Sequence, residues 1–130
     1  MELILVLDTN AYSDWRRSGR WHDRIAVANR VILPAIVIGE LHHGFRNGTR
    51  FDENARRLRA FLAEPQVAVH ATTLRTAEIY GEFTDFLQRQ GTPIPTNDIW
   101  IASAVHECGG RLLSRDDHFR LIPFIDLDTA

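Results

Sequence analysis

The sequence predicts an α/β fold: a three-layer α/β/α sandwich around a central, mainly parallel sheet. The first observation is the uninterrupted apolar run at residues 3–7, which is typical of a strand buried on both faces. The second is the alternation of short strand-like segments with longer segments that have helical spacing. The third is the absence of any linker, repeat or low-complexity stretch in 130 residues, so we predict one domain over residues 1–130.

The individual elements follow from local patterns. Pro34 suits the first turn of a helix, Gly91 ends one, and Thr72 or Thr73 can cap the helix before it. The predicted strands are residues 3–7, 31–33, 66–70, 111–114 and 124–127. The predicted helices are one or two short ones within 13–29, then 35–45, 51–62, 74–90 and 98–107, the last capped by Thr96 or Asn97.

Composition excludes several classes of protein. No apolar stretch approaches the ~20 residues of a membrane span, and the N-terminal residues lack a signal-peptide pattern, so we expect a cytoplasmic protein. The single cysteine, Cys108, excludes an internal disulfide. All 15 cationic Lys and Arg positions are arginine, which excludes any mechanism that requires a catalytic lysine.

Acidic residues stand where an α/β protein places its functional groups. Asp8 and Asp116 follow predicted strands, and ligand sites lie beyond the carboxyl ends of such strands. Asp98 begins a helix after a Pro-Ile-Pro loop, and Glu40 lies in the middle of another helix. Each has a purely structural explanation alone: Asp8 as a turn cap, Asp98 as a favourable first-turn acid, and Glu40 as a solvated residue.

Taken together, these four acids predict a metal site. Converging carboxylates without cationic neighbours repel one another, and a divalent cation relieves the repulsion. Oxygen ligands suit Mg²⁺ or Mn²⁺. Such an ion lowers the pKa of a bound water and neutralises charge on a phosphodiester oxygen. The predicted chemistry is therefore phosphodiester hydrolysis.

Four segments carry a family resemblance. They are LDTNAYSD at 7–14, GELHHG at 39–44, PTNDIWIASAV at 95–105 and LLSRDDHF at 112–119. In this order and spacing, the chain resembles PIN-domain nucleases, and among them VapC-type toxins of bacterial toxin–antitoxin pairs.

The resemblance implies roles for particular residues. Asp8, Glu40, Asp98 and Asp116 would form the catalytic, metal-binding quartet. Thr9, Asn10 and Ser114 would support it: the hydroxyls by contacting a metal-bound water or phosphate, and Asn10 by stiffening the loop. Asp116 is preferred over Asp117 because the family's acid follows Thr-Arg or Ser-Arg, and Ser114 replaces the commoner threonine.

The resemblance also implies an activity and partners. We predict a metal-dependent endoribonuclease that cuts RNA as a toxin, forms a homodimer and binds a small antitoxin, alone or in a higher toxin–antitoxin complex. A PIN nuclease of RNA maturation or decay is the alternative. A receiver domain or a haloacid-dehalogenase-like phosphatase would require a lysine and a second acid near Asp8, and both are missing.

Other side chains keep two interpretations. Arg46 and Arg50, with Arg56, Arg57 and Arg59, form a basic patch that is either a solvated helical hairpin or a contact for RNA or antitoxin. His42 and His43 are expected to face solvent or RNA rather than a metal. The three tryptophans are expected to pack rather than to stack on bases.

Overall fold

A fully parallel five-stranded sheet forms the centre of the molecule. The computed structural model describes residues 2–129. The strands are β1 (Ile4–Leu7), β2 (Arg30–Pro34), β3 (Val67–His70), β4 (Arg111–Leu113) and β5 (Asp126–Asp128), in the spatial order β3-β2-β1-β4-β5. Every neighbouring pair is parallel. The predicted α/β/α sandwich with a mainly parallel sheet is confirmed.

Six α-helices connect these strands within residues 2–129. They are α1 (Thr9–Ser18), α2 (His22–Val27), α3 (Ala35–Arg46), α4 (Phe51–Leu62), α5 (Leu74–Gln90) and α6 (Thr96–Cys108), and a 3₁₀ helix covers Asp117–Leu121. Helix α5 packs along α6, and α3 packs with both α1 and α4. No helix in this part of the chain is long and apolar enough to cross a bilayer.

Two predicted helix starts are wrong. Helix α1 begins at Thr9 rather than near residue 13, because the Asp8 side chain accepts a hydrogen bond from the Ala11 amide and caps the helix directly after β1. Helix α6 begins at Thr96 with Pro95 in the cap position and no side-chain cap. Asn97 therefore does not cap α6, and its side-chain amide donates a hydrogen bond to Glu40 of α3.

Strand β1 is the centre of the core, and its position determines where the site lies. Leu5, Val6 and Leu7 are at most 1% exposed, as expected for a strand covered on both faces. Within the sheet, β2 lies on one side of β1 and β4 lies on the other. The chain passes from β1 to β2 and β3, and then crosses back over β1 to β4. Connections therefore leave in opposite directions at β1, and the crevice at its carboxyl end is the expected ligand site of a doubly wound sheet.

Gly110 lies against the central strand, and its replacement provides a test of this packing. A Cβ atom there would lie 2.9 Å from Val6 Cγ2 and 3.3 Å from both Ile4 Cγ2 and the Ile4 carbonyl oxygen. We expect Gly110→Ala to destabilise the protein by about 1–3 kcal/mol through overpacking. Gly81→Ala in α5, where a Cβ meets nothing within 4 Å, should instead stabilise by about 0.5–1 kcal/mol. Urea unfolding of both variants measures the difference, and equal midpoints would contradict it.

Candidate active site

An open cleft of about 840 Å³ lies beyond the carboxyl ends of the strands. Helices α1, α3 and α6 and the segment after β4 contribute its walls, so residues far apart in sequence meet there. The polar lining residues are Asp8, Thr9, Asn10, Glu40, His43, Thr72, Asn97, Asp98 and Asp116. All four acids of the predicted quartet line this one cleft.

Asp8 is the most buried of these acids, and it both caps α1 and faces the cleft. The residue is only 5% exposed, and its carboxylate accepts hydrogen bonds from the Ala11 amide and the Ser114 hydroxyl. The pKa of Asp8 is raised to about 6, chiefly by burial; the hydrogen bonds from Ser114 and Ala11 oppose this rise, and the charges of Asp116 and Asp98 add to it. The ionised form of Asp8 therefore lowers the stability of the folded protein unless a cation lies nearby.

Glu40 is held at the cleft by two donors from different helices. The Thr9 hydroxyl donates to Glu40 Oε1, and the Asn97 amide Nδ2 donates to Oε2 at 3.1 Å. Both carboxylate oxygens are therefore fixed by side chains of α1 and α6. The contact that Thr9 makes here is with Glu40, and its contact with a metal-bound water or phosphate stays a prediction.

Asp98 and Asp116 meet at a histidine that the sequence did not single out. His118 Nδ1 lies 3.0 Å from Asp98 Oδ2 and 3.1 Å from Asp116 Oδ1. The hydrogen bond with Asp98 is the main reason that the pKa of His118 is raised. Burial raises the pKa of Asp98, and its hydrogen bond with His118 opposes that rise. The 3₁₀ helix, which Asp116 caps through the His118 amide, turns the imidazole back toward the acids.

Ser114 connects two of the acids through its hydroxyl group. It is fully buried, and its hydroxyl donates to Asp8 Oδ2 while accepting from the Asp116 amide at 3.0 Å. It therefore joins two of the four acids across β1 and β4. A hydroxyl suits this position because its single oxygen can donate one hydrogen bond and accept another.

An ion-paired aspartate outside the quartet holds the segment that carries Asp116. Asp14 is 5% exposed, and its Oδ2 accepts from Arg115 Nε at 2.9 Å and Nη2 at 2.6 Å. Its Oδ1 accepts from Arg17. Because Arg115 stands between Ser114 and Asp116, this pair fixes the loop from α1.

The remaining predicted residues lie in different places. Asn10 lines the cleft from the first turn of α1, so there is no loop for it to stiffen. His43 lines the cleft, whereas His42 packs against aromatic rings. Asp117 points outward with an 88% exposed side chain and pairs with Arg120, whereas Asp116 lines the cleft.

The predicted basic patch does not line the acidic cleft. The Arg46 guanidinium lies over the Phe51 ring at 4.3 Å. Arg50 and Arg57 line a separate pocket of about 460 Å³, together with Arg16 and Arg17 of α1. A contact of Arg46 or Arg50 with RNA or antitoxin stays a prediction.

The tryptophans pack, as expected. Trp21 is 5% exposed in the core, Trp15 packs against Phe61, and Trp100 stacks on Tyr80 with ring centroids 4.1 Å apart. Base stacking by these rings has no support in this arrangement.

The donor set fits a divalent cation. Four carboxylates converge, one of them is buried, and the pKa values of Asp8 and Asp98 are raised. Carboxylate oxygens with space for water are the environment that Mg²⁺ and Mn²⁺ prefer. Asp98, Asp116 and His118 also offer ligand atoms that all lie within 4.8 Å of one another.

Comparisons with known proteins agree with this fold. The family model described as "PIN domain" matches residues 5–125, and the chain belongs to the PIN-domain family. It is 26% identical to ribonuclease VapC2 of Rickettsia felis over 133 residues, covering 98% of each protein. It is 25% identical to ribonuclease VapC5 of Mycobacterium tuberculosis over 114 residues, covering 88% of this chain and 84% of that one.

A solved structure extends the comparison to the whole fold. The structure of VapBC2 from Rickettsia felis, bound to a DNA fragment from its promoter, has a chain that superposes with a TM-score of 0.86. That chain is 23% identical in sequence, and the match covers 97% of this chain and 98% of the other. At this identity the match establishes the fold.

Proposed function

We propose that this protein is a divalent-metal-dependent endoribonuclease and the toxin of a toxin–antitoxin pair. The observation that carries the proposal is the convergence of Asp8, Glu40, Asp98 and Asp116 on one cleft at the carboxyl end of β1. Two relatives that match over most of their length are named ribonucleases, which supports RNA as the substrate. We take residues 1–130 as one domain, and every residue that the proposal uses lies within it.

Three of the acids are proposed as metal ligands. Asp8, Asp98 and Asp116 hold one or two Mg²⁺ or Mn²⁺ ions, and Ser114 keeps Asp8 and Asp116 in register. When bound, the metal supplies Lewis-acid polarisation of the scissile phosphate and neutralisation of the charge that develops on its oxygens.

Glu40 is proposed to act on the attacking water. Thr9 and Asn97 fix its two oxygens, so a carboxylate edge faces the cleft in one orientation. As the water oxygen forms a bond to phosphorus, the phosphorus–oxygen bond to the leaving sugar breaks. The water proton passes to Glu40, and the leaving oxygen takes a proton from solvent.

The proposed partners follow from the relatives. The matched Rickettsia structure is a VapBC2 complex on promoter DNA. We therefore propose that this chain binds a small antitoxin, forms a homodimer, and assembles with antitoxin into a larger complex in the cytoplasm, where its RNA substrate is found.

Induced expression in a bacterial host tests the toxin proposal even while the RNA target is unidentified. We expect the wild-type chain to arrest growth, and Asp98→Asn, at equal protein level, to permit normal growth because a ligand charge is lost. Asp117→Asn is the matched control: it removes a neighbouring acid that points to solvent and should still arrest growth. RNA end-mapping in the arrested cells then identifies the cleavage site.

The other outcomes overturn parts of the proposal. Normal growth with the wild-type chain, combined with metal-dependent RNA cleavage by the purified protein, would assign it to RNA maturation or decay. Arrest by both the wild-type chain and Asp98→Asn would show that toxicity does not arise from the acidic cleft.

A further inference from the structure

The imidazole of His118 lies among the acids as a metal ligand would. Its Nδ1 is 3.0 Å from Asp98 Oδ2 and 3.1 Å from Asp116 Oδ1. Neighbouring ligands of an octahedral ion with ~2.1 Å bonds are separated by about 3.0 Å. His118 Nδ1 therefore already has the spacing of a ligand adjacent to each of the two carboxylate oxygens, and ligand atoms of the three residues all lie within 4.8 Å of one another.

Hydrogen bonding accounts for only part of this arrangement. One Nδ1 carries at most one proton, so it cannot donate a full hydrogen bond to both carboxylates. Asp116 Oδ1 also accepts a hydrogen bond from the His118 backbone amide at 2.9 Å. This bond holds the His118 backbone beside Asp116 independently of the imidazole. A cation shared by Nδ1 and the two carboxylates would satisfy all three groups.

We propose that His118 is a nitrogen ligand of the ion held by Asp98 and Asp116, and that it makes the site favour first-row transition ions over Mg²⁺. Imidazole nitrogen binds such ions well, whereas Mg²⁺ prefers oxygen. The inference rests on the proposed function, because it assigns a ligand to the same metal site. His118 thus distinguishes this site from one built of oxygen ligands alone.

Calorimetric titration of the full chain without a histidine tag tests the proposal with Mg²⁺, Mn²⁺ and Co²⁺ separately. For His118→Ala we expect Co²⁺ affinity to fall at least about tenfold, Mn²⁺ affinity to fall less, and Mg²⁺ affinity to change least. His118→Asp replaces nitrogen by oxygen and should shift the preference toward Mg²⁺. His43→Ala is the matched control, since His43 lines the same cleft but its Nε2 pairs with the Asn47 side chain rather than with an acid, and it should leave all three affinities unchanged.

A spectroscopic measurement reports the ligand directly. Pulsed electron paramagnetic resonance of bound Mn²⁺ should show coupling to a nitrogen nucleus in the wild type and in His43→Ala. We expect that coupling to disappear in His118→Ala. Because the His118 side chain is 46% exposed, its truncation should leave the fold intact, which circular dichroism checks.

The outcomes separate this inference from the proposed function. If wild type binds the ions, Asp98→Asn does not, and His118→Ala shows unchanged selectivity and unchanged nitrogen coupling, only the role of His118 is overturned. If His118→Ala binds every ion more tightly, His118 competes with the metal and the inference is again overturned. If neither wild type nor His118→Ala binds any of the ions, the proposed metal site itself fails.

Discussion

Replacing Asp8 with asparagine is expected to stabilise the metal-free protein at about pH 8 and to abolish its ribonuclease activity. The carboxylate is 5% exposed, and burial raises its pKa from 3.8 to about 6. Such a shift corresponds to about 3 kcal/mol against the folded state when Asp8 is ionised. Asparagine removes this cost and keeps the acceptor for the Ala11 amide. It reverses the Ser114 hydrogen bond at a cost of about 1 kcal/mol, so the net gain is about 2 kcal/mol.

The pH dependence of this gain has a definite sign. The folded-state pKa of Asp8 is above the unfolded value, so the folded state binds more protons between about pH 4 and pH 6. The cost of ionised Asp8 is therefore absent below that range and complete above it. We expect urea unfolding to show the largest advantage of Asp8→Asn near pH 8 and, near pH 4, none or a disadvantage of up to about 1 kcal/mol from the reversed Ser114 hydrogen bond. An advantage independent of pH would contradict the assigned cause.

A second aspartate with the same exposure provides the control. Asp14 is also 5% exposed, but it accepts hydrogen bonds from Arg17 and Arg115. Asp14→Asn should destabilise the protein by about 1–3 kcal/mol at pH 8, because charge-assisted hydrogen bonds are lost. The same isosteric change in two equally buried residues is thus expected to have opposite effects on stability.

Added Mn²⁺ should raise the melting temperature of wild type and not that of Asp8→Asn.

The contrast with Asp14 indicates that the Asp8 carboxylate lowers the stability of the folded protein. Asp14 has cationic partners, so its charge contributes to folding. Asp8 has Asp98 and Asp116 as its charged neighbours, and both raise its pKa. Residues kept in an unfavourable state are typical of functional sites. The burial of Asp8 beside two further acids therefore supports its proposed role as a metal ligand.

The sequence predicts the sheet and the four acids because both depend on short-range patterns. An apolar run that ends at Asp8 indicates a buried strand, and parallel strands bring their carboxyl ends to one edge. The helix starts are harder to predict, since the sequence allows Asp8 to be either a cap or a cleft residue. The structure shows that one carboxylate serves as a cap and also faces the cleft.

The contacts around the acids could not be predicted in the same way. The position of Asn97 in the sequence suggests a helix cap, but a proline cap frees it to reach Glu40, 57 residues away in sequence. Asp14 and Arg115 are separated by 101 residues. His118 reaches the acids from a 3₁₀ helix of five residues, which is too short to show a hydrophobic periodicity. The histidine in the motif DDHF was the available signal.

Replacing Glu40 with glutamine is expected to lower kcat for RNA cleavage by about 10²–10⁴-fold, the usual contribution of a general base. Thr9 and Asn97 hold the two carboxylate oxygens, and the isosteric amide keeps the size of the side chain. The KM for RNA should change little, because Glu40 is proposed to act on the attacking water. Steady-state cleavage of a labelled RNA at saturating Mn²⁺ measures both constants, and Asp117→Asn is the matched control with unchanged kinetics.

The metal dependence of the Glu40→Gln variant separates two roles for this residue. As a base, Glu40 contributes a proton acceptor that no excess of metal replaces, so activity should stay low when Mn²⁺ is raised about tenfold above saturation of the wild type. As a metal ligand, Glu40 would mainly set affinity, and the same excess would restore the rate. We expect no restoration, because the proposal assigns the metal to Asp8, Asp98 and Asp116 and leaves Glu40 as the proton acceptor. Recovery of wild-type kcat at high Mn²⁺ would move Glu40 from base to ligand and leave the other three acids in place.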